Sequence, residues 1–219
     1  MIVGCALMML VPALAPTARA AAPLSINIES RQVINDLSRA TGIKPAHELT
    51  LSVANIGHWD DATLVAALRT AADILAQCRI RIAHAELLRV AVPPKHRDFD
   101  TPRSRELARA LALPKPTLYF AAGTRQVPAF DAEAIGRGNS RTRPELRDTV
   151  WIARGARDPG LVVAHELAHV LMDSGEHDRT PGNLMAEATS PHHTQLTAGQ
   201  CARISATGIR NGLLQPSVD

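Results

Sequence analysis

Two histidines four residues apart, with a glutamate directly after the first, form the segment of this chain best suited to chemistry: His165-Glu166-Leu167-Ala168-His169. On a helix that spacing puts both imidazoles on one face, one turn apart, where both can reach one cation. Glu166 is rotated away from the pair, so its carboxylate can sit beside a metal-bound water without occupying the metal. A catalytic zinc takes three protein ligands and keeps one position open for water, whose pKa it lowers. A nearby carboxylate can then take the proton as that water attacks a carbonyl. The pattern therefore predicts metal-assisted hydrolysis, with Zn2+ as cofactor and Glu166 as general base. The competing reading is a structural helix whose two His and one Glu are satisfied by hydrogen bonds. It is disfavoured because each buried polar group left unsatisfied costs about 1–3 kcal/mol.

The elements around the motif must hold it on a helix. Asp158-Pro159 is a helix start, with Asp as cap and Pro at the first helical position. Leu161, Val162, Leu167, Val170 and Leu171 make the helix largely buried, and Gly175 is the expected stop. Two histidines leave one ligand to find. His177 follows the expected stop, where the chain can turn back towards the pair. Glu176, Glu187 and the pair His192-His193 are rivals, because zinc accepts imidazole or carboxylate.

Upstream, residues 49–56 alternate apolar and polar as a strand does. Asp60 or Asp61 can cap a helix to about Gln77, with Leu64, Val65, Leu68, Ala71, Ala72 and Leu75 at helical spacing. A second strand starts at Arg79 and extends towards Val92. A Pro-bearing loop covers 93–102, a short helix 104–111 and a strand 117–120. An edge strand is expected over 127–135, because Pro128 excludes a central one, followed by a loop over 136–144 and a strand over 149–153. Residues 195–204 read as a closing helix capped by Thr197. This order predicts one α+β domain.

The segment from His165 to Met185 resembles the metzincin metalloproteases, most closely the matrixin-like branch. In that family a third His follows the helix, and a Met-containing turn lies beneath the metal, eight residues beyond that His. His177 and Met185 keep the interval. The family's closing helix, entered through Gln-Leu-Ser/Thr, resembles Gln195-Leu196-Thr197. The likeness extends over roughly residues 49–208, although only His165 to Met185 is specific. It implies a zincin-like fold: a twisted mixed sheet, a long helix, an active-site helix and a small C-terminal subdomain. It also implies a zinc metalloendopeptidase, with His165, His169 and His177 as metal ligands and Glu166 as the catalytic residue. A protein or peptide substrate would lie antiparallel to the edge strand, with residues 186–194 lining the pocket beyond the scissile bond. The chain departs from His-Glu-x-x-His-x-x-Gly-x-x-His in one place. Met172 holds the Gly position, Gly175 holds the third-His position, and His177 comes two residues later.

Composition bounds the rest. The 219 residues begin with an apolar run to Leu14 followed by Ala-Pro-Thr-Ala-Arg-Ala, which reads as a signal peptide over 1–20. An N-terminal extension over 21–48 and a catalytic domain over 49–219 complete the expected organisation, in a periplasmic or extracellular protein. No other stretch is apolar enough to span a bilayer, so no stable membrane insertion is expected after processing. Twenty-four Lys and Arg against 21 Asp and Glu, with 3% aromatics, argue against a nucleic-acid partner. Processing leaves Cys78 and Cys201, which in an oxidising compartment form either one bridge or two buried thiols. His47, His58, His84 and His96 have no partner at useful spacing and are read as surface or hydrogen-bonded histidines. Two further functions stay open: a non-enzymatic zinc-binding protein whose fourth metal position is filled by protein, and a zinc hydrolase of a non-protein amide or ester.

Overall fold

The computed structural model describes residues 24–35, 37, 44–125, 134–135 and 143–217. The expected signal peptide, most of the expected edge strand and most of the loop over 136–144 lie outside them. The strands are β1 (Asn27–Asn35), β2 (His47–Asn55), β3 (Ile80–Ala91), β4 (Thr117–Ala121), β5 (Ala134–Ile135), β6 (Thr149–Ala153) and β7 (Leu214–Pro216). The helices are α1 (Asp61–Leu75), α2 (Thr101–Leu111), α3 (Pro159–Met172) and α4 (Ala198–Arg210).

The strands form one sheet in the order β1-β3-β2-β4-β6-β5, with β7 paired to β2 beside that path. The centre, β3-β2-β4-β6, is parallel. β1, β5 and β7 pair antiparallel. A parallel centre needs cover on both faces, and period-two alternation supplies it. On β4, Leu118 and Phe120 face the main core with α1 and α3, while Tyr119 and Ala121 face a second core with α2. On β6, Val150 and Ile152 take the first side and Trp151 the second, where it stacks on Tyr119 with ring centroids 4.1 Å apart.

α1 begins at Asp60, whose side chain accepts from Thr63 N, and buries Leu64, Leu68, Ala71, Ala72 and Leu75. α3 lies against it. The two approach so closely that a Cβ on Gly160 would stand 2.5 Å from Thr70 Cβ. Any side chain at 160 would push the first turn of α3 off α1. α2 starts three residues before the expected 104 because Pro102 falls in its first turn, where a missing N–H costs nothing.

Two strands lie where the hydrophobic pattern predicts none. β1 falls within 21–48 and is exposed along nearly its whole length, so it carries little apolar alternation. β7 has three residues and exists through its pairing with β2. Cys78 and Cys201 form a disulfide, with Cα atoms 4.8 Å apart, joining the end of the α1 region to α4. The bridge spans 123 residues, so constraining the unfolded chain stabilises the fold by on the order of 4–5 kcal/mol. Among the described residues, no helix is long and apolar enough to cross a membrane.

Candidate metal centre

α3 presents the motif as expected at its start and differently at its end. Asp158 caps it by accepting from Leu161 N at 3.1 Å, and every residue from Gly160 to Met172 is buried. The helix ends at Asp173, which takes a left-handed conformation (φ 49°), two residues before the expected Gly175. Asp tolerates that conformation better than most residues, so the turn needs no glycine. Gly175 itself has open space around it and stands in the segment leading to His177. The two-residue delay of His177 is therefore taken up by non-helical chain after Asp173, with no extension of the helix.

That chain returns His177 to the pair. His165, His169 and His177 each offer a nitrogen, and these atoms all lie within 4.8 Å of one another. The first two are buried and the third is exposed. The rings stand 4.6, 5.5 and 5.0 Å apart, centroid to centroid. The rival ligands stand outside this group among the described residues. Glu176 pairs with Arg203 at 2.8 Å, and His193 lies 3.0 Å from the Ala188 carbonyl. Glu187 and His192 are exposed.

The chemistry of the first two rings fits a cation. His165 Nδ1–H donates to the Leu184 carbonyl and His169 Nδ1–H to the Ser174 carbonyl, each at 2.7 Å. A carbonyl can only accept, so these contacts place the proton of each neutral ring on Nδ1. The two Nε2 atoms then face each other at 3.0 Å as lone pairs. Only a positive centre relieves that repulsion. A proton is a poor candidate, because burial holds His165 below its ordinary value and His169 down to about 4. A divalent metal fits, and three imidazoles are a donor set that zinc accepts.

Glu166 is buried, and its Oε2 has no hydrogen-bond partner. Burial raises its carboxyl to about 8. This has a measurable consequence in metal-free protein. A carboxyl raised from 4.5 contributes stability fully below pH 4.5 and loses it as pH rises towards 8. Each pKa unit corresponds to about 1.4 kcal/mol, so the loss amounts to several kcal/mol. Melting temperatures of metal-free chain and metal-free Glu166→Gln should therefore diverge between pH 4.5 and 8, the unaltered chain falling relative to the variant. The effects of His165 and His169 are common to both and cancel. Saturating zinc should shrink the gap by supplying the missing positive charge. Parallel melting curves across this range would contradict the assignment of a strained, ionisable Glu166.

The backbone around Leu184 joins the separate parts of the site. Leu184 orients His165 through its carbonyl, and the next residue, Met185, accepts from Asp178 N at 2.7 Å. Met185 is fully packed in the main core. Its relation to His177, visible in the sequence as an interval, is thus realised as a backbone bond to the residue after the histidine. The loop over 186–194 is tied to the end of α1. Gln77 Nε2 donates to the Thr194 carbonyl at 2.8 Å, and Leu196 N donates to Gln77 Oε1 at 3.3 Å. Gln77, Asp178, Asn183 and Gln200 carry no motif signal. Only the Thr-x-x-Gln spacing of Thr197 and Gln200 points to a helix start.

No family model and no curated protein matches the sequence. Among solved structures, the fold is similar to the crystal structure of metalloproteinase-II from Bacteroides fragilis, with a TM-score of 0.55 and 16% identity. The match covers 78% of this chain and 55% of the other, so the chain spans about half the length of that protein. At this identity the likeness is one of fold: a twisted mixed sheet with helices packed against it, consistent with the zincin-like fold expected from the sequence.

Proposed function

We propose that the chain is a zinc-dependent metalloendopeptidase of metzincin type. The observation that carries this reading is the convergence of His165, His169 and His177, with the buried Glu166, whose Oε2 has no hydrogen-bond partner, next to His165 on the same helix. His165 and His169 would bind through Nε2, the atoms their carbonyl partners leave unprotonated. His177 would complete the set. Zinc held there supplies Lewis acidity and a water of lowered pKa. Glu166 would accept the water's proton and return it to the leaving amine, acting as base and then as acid. Burial keeps bulk water from solvating this carboxylate, which strengthens its interactions with charge developing nearby.

A peptide substrate would pair with the sheet edge at β5, its backbone supplying affinity and its side chains selectivity. The loop over 186–194, anchored by Gln77, would line the pocket beyond the scissile bond. The disulfide fits an oxidising, exported location. A non-enzymatic zinc protein would need a fourth protein ligand. Among the described residues, the converging group holds the three histidines and no carboxylate, which favours catalysis.

The deciding experiment is incubation of the zinc-loaded chain with a mixed peptide library. Internal cleavage that disappears with a chelator and returns with zinc is the expected result. Tight zinc binding with no cleavage would favour the structural-metal reading. Hydrolysis confined to small esters or amides would favour a non-protein substrate.

A further inference from the structure

We propose that Gln200, paired amide-to-amide with Asn183, is a positioning residue of the metal centre, holding the His177 segment and the Leu184 turn to the start of α4. The inference rests on the metal reading above. Gln200 uses all the hydrogen-bonding capacity of its side chain. Its Oε1 accepts from Thr197 N at 2.8 Å and from Asn183 Nδ2 at 3.0 Å. Its Nε2 donates to Asn183 Oδ1 at 3.1 Å and to Asp178 Oδ2 at 3.2 Å. Asn183, 2% exposed, also accepts from Met185 N at 2.8 Å.

Each arm of this network ends one residue from a group that faces the metal site. Asp178 follows His177, and its second oxygen accepts from Thr180 N at 2.8 Å. Among the described residues, no hydrogen bond holds the exposed His177 ring, so the placement of that ring depends on the backbone that Asp178 fixes. Asn183 precedes Leu184, whose carbonyl sets the tautomer and orientation of His165. Residues that orient ligands in this indirect way typically change metal affinity by about 10–100-fold when removed.

The residue type separates this role from helix capping. The capping box at the start of α4 needs only an acceptor at position 200, and Glu serves there as well as Gln. The two donated bonds, to Asp178 and to Asn183 Oδ1, need an amide. Glutamate would keep the cap and place an acceptor against two acceptors.

The test is zinc affinity of the full chain, measured by competition with a chromophoric chelator, with melting temperature followed in parallel. Gln200→Glu should weaken zinc binding by about 10–100-fold. Thr197→Ala, which removes the cap and spares the amide pair, should lower the melting temperature and leave affinity within about threefold, because capping stabilises the helix and not the ligands. Asp178→Ala cuts the arm to the His177 segment, together with the turn bond from Thr180 N, and spares the amide pair; it should weaken binding in the same direction, which keeps the test decisive if Gln200→Glu fails to fold. Cobalt-substituted protein should show a shifted visible spectrum in both affinity variants and an unshifted one in Thr197→Ala. Tight binding by the unaltered chain with unchanged affinity in Gln200→Glu and Asp178→Ala would overturn this inference alone. Absence of zinc binding by the unaltered chain would remove the metal reading and this inference with it.

Discussion

Glu166→Gln should retain one zinc per chain and lose peptide turnover by roughly 10²–10⁴-fold, the range that a positioned general base contributes. Gln has the shape of Glu and cannot take a proton at Oε2. The metal should stay because Glu166 is not among the converging donors. Folding should not suffer, because the buried carboxyl is destabilising as an anion and a neutral amide removes that cost. Metal content by elemental analysis and single-turnover cleavage of a library-derived peptide are the two measurements. A variant that binds zinc and cleaves within tenfold of the unaltered chain would exclude Glu166 as base. One that loses zinc would place Glu166 among the ligands.

His177→Ala should weaken zinc binding by more than about 100-fold, beyond the range of residues that merely orient ligands. Two neutral imidazoles would then face a cation that requires at least one further protein donor to stay bound. His177 is exposed and makes no hydrogen bond among the described residues, so its removal should leave the melting temperature of the metal-free chain within about 2 °C, as expected for surface substitutions. Glu187→Ala and Glu176→Ala are the informative controls, since both residues are open to the ligand role on spacing alone. Equal zinc affinity in those variants, with loss in His177→Ala, is the expected pattern. Loss in Glu187→Ala and none in His177→Ala would reassign the third ligand.

Much of the scaffold was legible because the signals are local. Asp60 and Asp158 cap their helices through side chains that reach backbone N–H groups three residues ahead. β2 and β3 show as alternating stretches, and β4 and β6 as short continuous apolar runs because a core covers each of their faces. The His165–His169 pairing follows from helix pitch. β1 and β7 were not legible, because an exposed edge strand needs no apolar face and a three-residue strand has no periodicity. The stop at Asp173 was missed for a related reason. Glycine is the usual left-handed residue, and nothing local distinguishes an Asp that will adopt that conformation from one that will not.

The sequence by itself determined that two imidazoles and a carboxylate share one capped, apolar helix, because those relations are set within a few residues by backbone geometry. Tertiary structure alone decided which of several candidates joins them. On residue type and spacing Glu176, Glu187 and the pair His192-His193 stay open beside His177, which only the family resemblance, through its interval to Met185, favours. The choice depends on how the chain leaves Asp173 and how the Leu184 turn bonds back to it, which are contacts between segments that no local pattern encodes. The same holds for the Cys78–Cys201 bridge, whose 123-residue separation leaves its formation to the packing of α4 against the end of α1. It holds as well for Gln200, whose spacing from Thr197 fits a helix start and whose side chain in three dimensions reaches Asp178 and Asn183.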